Sequence, residues 1–184
     1  MNISEKDLEK ELTVGRKKSA KPMLWVSMIS MVMFFAGLTS AYVISMRRDD
    51  WVTFDLPDAF YMSTILIILS SITISMSQRF IKKGKRELSI VLLIITFLLG
   101  IAFVWQQYGG FEDLRNSGLF FTGPTSTVST SFIIGISLMH AFHVFAGIIV
   151  LLVVIYNHFK YKYTSDDLLG FELGAIFWHF VDVL

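Results

Sequence analysis

Glu172, His179 and Asp182 fall within eleven residues of one another in "GFELGAIFWHFVDVL", a stretch otherwise apolar enough for lipid. At a bilayer centre each such side chain costs roughly 2.5–3.5 kcal/mol by insertion scales, so each needs a partner, water or a task. Glu172 and His179 stand seven apart, on one helical face, and His179 and Asp182 stand three apart. Gly170, Gly174, Trp178 and Asp182 step along the same segment four apart. A second cluster lies upstream in "SFIIGISLMHAFHVFAGII". There Ser131, Gly135, Met139, His143 and Gly147 recur every fourth residue, and His140 shares nearly the direction of Gly147. Small residues let helix backbones approach closely, and a histidine among them can hydrogen-bond across the interface.

Three chemistries compete for these groups. Carboxylates and histidines on facing helices build di-metal sites, but those draw a Glu-x-x-His from each of two helices. Here His179-x-x-Asp182 is a single reversed element, and the three earlier apolar spans hold no His, Asp or Glu in their cores. His140 and His143 point to one side of their helix, whereas two axial haem ligands come from opposite helices; a pairing of either with His179 stays open. So does a proton-handling role. Spacing favours the third chemistry, in which these side chains tie the last two helices together or dock a neighbouring subunit. The chain has no cysteine, which excludes disulfides, iron–sulfur clusters and thiolate metal sites.

The elements that must position them are membrane helices. Hydrophobic residues make up 54% of the 184, and 17% are charged against roughly 25% in soluble domains. The pattern predicts an all-α, polytopic membrane helix bundle. A polar tail over 1–21 precedes one transmembrane bundle, 22–184, with helices at about 22–46, 58–78, 88–108, 128–159 and 168–184. The tail reads as a solvated segment in preference to a short surface helix capped by Ser4. The first apolar span comes too late and runs too long for a cleaved signal peptide. Alternate loops carry thirteen Lys and Arg on one side and three on the other, which predicts five transmembrane helices, N-terminus inside and C-terminus outside. No repeat relates the two halves, no phosphate-binding loop occurs, and no nucleic-acid partner is expected.

The connection at 160–167 is short, so the last two helices are expected to form an antiparallel hairpin. That places His140 or His143 at the depth of His179. It leaves Glu172 near the inner interface, where water or the helix dipole can support its charge. Gly37 and Ala41, four apart in the first span, offer a close-packing surface for a partner.

These residues carry a family resemblance. "HAFHVFAG" followed by "YTSDDLLGFELGAIFWHFVDV" resembles cytochrome c oxidase subunit III and its relatives among the haem–copper oxidases, whose pattern runs H-x-x-H-V-x-x-G and then G-F-E to W-H-F-V-D-V. "ISMVMFFAGLTSAYVIS" resembles a further helix of that family, and the likeness extends over essentially Met23 to Leu184. The resemblance implies a non-catalytic subunit with no cofactor of its own. Haem and copper reside in partner subunits, and phospholipid is a ligand. The implied partners are the catalytic oxidase subunit I, other oxidase subunits and membrane lipids. The implied role is assembly and sustained proton-coupled oxygen reduction in the bacterial inner (plasma) membrane, where five-helix members occur. His140, His143, Gly147, Glu172, Trp178, His179 and Asp182 then become helix-contact, lipid or subunit-interface groups. A subunit III-like protein of a quinol oxidase or nitric oxide reductase complex is the alternative, and an independent haem-binding membrane protein a more distant one. The chain departs from the family at Met31, where a glutamate is usual, so a role attached to that carboxyl does not carry over. The family pattern also continues past V-D-V, which implies a fifth helix longer than 168–184.

Overall fold

The computed structural model of the chain describes residues 5–52, 58–118, 121–123, 126–163 and 167–184. They form five helices: α1 (Glu5–Ser45), α2 (Asp58–Lys82), α3 (Arg86–Asn116), α4 (Val128–Phe159) and α5 (Leu169–Val183). The first four are long and apolar enough to cross a membrane. α5 has 15 residues, about 22 Å of helix. α1 differs from the expected solvated tail: the helix continues without a break through the polar segment to Glu5. Ser4, its suggested cap, lies outside the described residues. A helix rich in Lys and Glu keeps good propensity in water, so the end of the apolar pattern does not end the helix.

α2 and α3 share the most extensive seam, and its origin is a heptad pattern on both helices. On α2, Ser63, Ile67, Ser70, Ile74, Ser77 and Ile81 are all buried, alternating steps of four and three. On α3, Ser89, Leu93, Thr96, Gly100 and Phe103 follow the same rule, and Gly110 and Leu114 resume it one heptad on. Such an a/d stripe is the seam of a left-handed coiled coil. Here it is dominated by small residues, as suits helices that associate in lipid through close packing and interhelical hydrogen bonds. Ser77 donates to the Ser89 carbonyl at 2.7 Å, and Gln107 donates to Ser63 at 2.9 Å. Gly84 closes the hairpin. Its φ of 74° lets its N–H reach the Ile81 carbonyl at 3.0 Å while Lys85 N–H reaches Phe80 at 3.0 Å, which satisfies the last carbonyls of α2.

The remaining contacts order the bundle. α3 packs on α4, α4 on α5 and α5 back on α2, so the last four helices close a ring; α1 lies outside it against α4 and α5. α4 and α5 therefore each touch three other helices, and the buried residues of α5 are Phe171, Gly174, Ala175, Phe177, Trp178 and Val181.

Candidate functional site

Trp178 occupies the centre of the ring with 1% of its surface exposed. Its indole N–H donates to Ser70 Oγ of α2 at 2.8 Å. The ring lies against glycines on two further helices. A Cβ placed on Gly100 of α3 would stand 2.8 Å from its Cη2, and one on Gly147 of α4 would stand 3.1 Å from its Cε3. One side chain thus touches all three other helices of the ring, and the two glycines are small because an indole fills their space.

His179, the next residue, faces elsewhere. The expectation was that it meets His140 or His143 on α4. Instead its Nδ1 lies 2.6 Å from Ser71 Oγ and its Nε2 lies 3.0 Å from Ser75 Oγ, both on α2. Successive helical residues point about 100° apart, so when Gly174 and Trp178 address α4, residue 179 turns to α2. Ser75 also donates to the Ser71 carbonyl at 3.0 Å, which uses its only proton. For a neutral imidazole one assignment then satisfies every contact: Nε2–H donates to Ser75, and Ser71 donates to Nδ1. His179→Ala removes two interhelical hydrogen bonds. It should weaken the α2–α5 contact by about 1–2 kcal/mol, read as a lower unfolding midpoint in detergent with helix content unchanged.

The α4 histidines are held by α1. Phe35 sets its ring edge to His143 at 5.5 Å and to His140 at 6.4 Å, with Phe103 of α3 on the other side of His140 at 6.2 Å. His143 Nδ1 lies 2.8 Å from the Met139 carbonyl, one turn back in its own helix. His158 is buried at the basic end beside Tyr163, and its carbonyl accepts from the Arg86 guanidinium.

At that same end Glu172 joins three helices. Its two carboxylate oxygens meet Lys21 of α1 at 3.0 Å and Lys82 of α2 at 3.1 Å. Water or the helix dipole was the expected support; two lysines supply it instead. Sequence separations of 151 and 90 residues concealed both partners. Next to this clamp, Lys17 and Asp167 pair at 2.5 Å, and the lysine's hydrogen bond holds the Asp167 carboxyl below the ordinary carboxylate range. A depressed carboxyl contributes stability above its unfolded pKa and loses it as pH falls through the folded value. The contact between the polar part of α1 and the start of α5 should therefore be constant from pH 7 to about 5 and loosen below about 4. Distance measurements between spin labels on the two segments read this directly.

Of the remaining candidates, Gly37 is exposed with open space around it, and Ala41 is half-buried. Asp182 lies on the face of α5 turned to α2 and to the outside of the ring, and neither of its oxygens has a hydrogen-bond partner among the described residues. Among the described residues no three His, Asp or Glu side chains converge as a metal site. The residues not singled out from sequence are Ser70, Ser71 and Ser75, Gly100, and the lysines Lys21 and Lys82. The signal for the serines was present in "SSITISMS", where the heptad spacing of Ser70 and Ser77 continues that of Ser63.

Comparison with known proteins places this arrangement. The family model described as cytochrome c oxidase subunit III matches residues 3–184. Cytochrome c oxidase subunit 3 of Neurospora crassa is 34% identical over 131 residues, which is 71% of this chain and 45% of that protein. The Gadus morhua subunit 3 is 32% identical over 126 residues, and that of Loxodonta africana 31% over 126, each covering 67% of this chain and 45% of the relative. The chain thus spans about half the length of the curated relatives it matches. With a match over nearly its whole length, and with the indole, histidine and carboxylate of its last helix each assigned a place in the bundle, the chain belongs to the cytochrome c oxidase subunit III family.

Proposed function

We propose that this chain is a non-catalytic subunit III of a respiratory haem–copper terminal oxidase. It lies in a bacterial plasma membrane with its N-terminus and basic end inside, and it supports assembly, lipid retention and sustained proton-coupled oxygen reduction by the catalytic subunit. The observation that carries this reading is the use of the ionisable side chains. His179 and Glu172 are spent on bonds to α2 and to two lysines, and Trp178 on the ring, so the motif of α5 builds a scaffold. Haem and copper then belong to partner subunits. α5 enters the fifth crossing, its 15 residues reaching about 22 Å into a core of roughly 30 Å, and the thirteen-to-three distribution of Lys and Arg supports the orientation.

The test is purification of the tagged chain from its native membrane, with haem and copper assayed in what accompanies it. An oxidase carrying both should co-purify. Complex prepared without this chain should start at normal oxygen consumption and lose activity faster during turnover. Abolished initial turnover in a complex assembled with Glu172→Ala or His179→Ala would refute the non-catalytic assignment. Reporter fusions in the loops at 47–58 and 83–85 should give opposite signals.

A further inference from the structure

The outer surface between α2 and α5 holds an open groove of about 460 Å³, and its chemistry is not that of a lipid-facing wall. Ile67, Ile68, Ile72, Met76 and Val183 form its sides. Its floor is polar: Ser71, Ser75 and His179, already bonded to one another, and Asp182. Both Asp182 oxygens are shielded from solvent by the surrounding side chains, yet neither has a partner among the described residues. Ser71, the neighbouring hydroxyl on the groove floor, stands between the Asp182 carboxyl and the His179 ring and has one proton to give to either. Arg79 lines the groove towards the basic end and makes no ion pair among the described residues.

Depth decides what can fill it. Ser71 lies eleven residues from Lys82, so the His179–Ser71 level is about 16 Å from the basic end. Asp182 is three residues further along α5, about 4 Å deeper. In a hydrocarbon core of about 30 Å that is mid-membrane, beyond the reach of a lipid headgroup, and acyl chains offer no hydrogen bond. A carboxyl there needs a donor supplied by protein.

Resting on the subunit III assignment above, we propose that this groove is the docking face for a transmembrane helix of the oxidase partner. That helix carries a hydroxyl, amide or cationic side chain opposite Asp182. It also carries an acceptor about three turns nearer the basic end, opposite Arg79. His179 and its serines set the floor against which that helix lies.

The absence of native cysteine makes single-cysteine labelling specific. Ile68→Cys, Val183→Cys and, as a control on the exposed face of α4, Phe145→Cys are spin-labelled and compared in the isolated chain and in the purified complex. On assembly, labels at 68 and 183 should lose mobility and oxygen accessibility while the label at 145 keeps both. Asp182→Ala should reduce retention of the chain in the complex by about three- to tenfold, and Asp182→Asn, which keeps a polar group of the same shape, by less. Labels at 68 and 183 that stay mobile and oxygen-accessible in an intact oxidase would show lipid in the groove and overturn this inference alone. Dipolar coupling between labels on two copies would assign the groove to self-association and overturn it as well. Purification of the wild-type chain without any oxidase subunit would overturn the subunit III assignment itself, and the docking face with it.

Discussion

Trp178→Ala is expected to lower the stability of the bundle by about 3 kcal/mol, the largest effect of any single truncation in the chain. In a soluble core such a change removes both transfer energy and packing. In lipid the separated helices already sit in an apolar medium, so the loss comes mainly from the cavity and the forfeited contacts, which sets the value at the lower end of the usual range. Here the cavity opens at the junction of α2, α3, α4 and α5. Gly100 and Gly147 lack the side chains to collapse into it, and Ser70 loses the donor that bonds it. The measurement is unfolding in mixed micelles followed by circular dichroism. A midpoint unchanged from the parent chain would show that the indole does not hold the ring together.

The second prediction concerns the space that indole fills. Gly100→Ala should cost about 1–3 kcal/mol although alanine is the better helix former. The new Cβ would stand 2.8 Å from Cη2 and 3.1 Å from Cζ2 of Trp178, atoms of a rigid ring pinned at its other end by the bond to Ser70. Neither helix can yield without opening the α2–α3 or the α4–α5 contact. Trp178→Phe removes the distal part of the indole that the methyl would strike. The double variant Gly100→Ala/Trp178→Phe should therefore be more stable than the sum of the two single losses requires, a coupling that a double-mutant cycle reads directly. Strict additivity would mean the two residues do not meet. Gly147→Ala, whose Cβ would come no closer than 3.1 Å, should be milder.

Both effects come from the helix that the sequence made most conspicuous, and both depend on partners that it did not announce. The sequence by itself determined the class of the molecule. Uninterrupted apolar runs can satisfy their backbone in lipid only as helices or closed barrels, and runs of some twenty residues select helices. It also determined the α4–α5 hairpin through a connection too short for anything else, and it singled out Trp178, His179 and Glu172 as atypical of lipid-facing helix. These are local properties, set by composition and by residues a few positions apart.

Only the tertiary structure decided whom those residues meet. A helical wheel gives the direction of a side chain from its own axis, but not which helix stands there. The closing of α2 against α5 turned His179 to Ser71 and Ser75 instead of to His140 or His143. The continuation of α1 through the polar segment brought Lys17 to Asp167 and Lys21 to Glu172 of α5, partners that the sequence pattern did not indicate. Gly100 looked like an unremarkable glycine in an apolar run until Trp178 was found against it. The physical reason is common to all three cases. Hydrophobic pattern fixes which surface of a helix prefers to leave water, but inside a bilayer that preference is nearly the same towards lipid and towards protein. Short-range packing and the pairing of a few polar groups then choose the neighbours, and these depend on residues up to 151 positions apart.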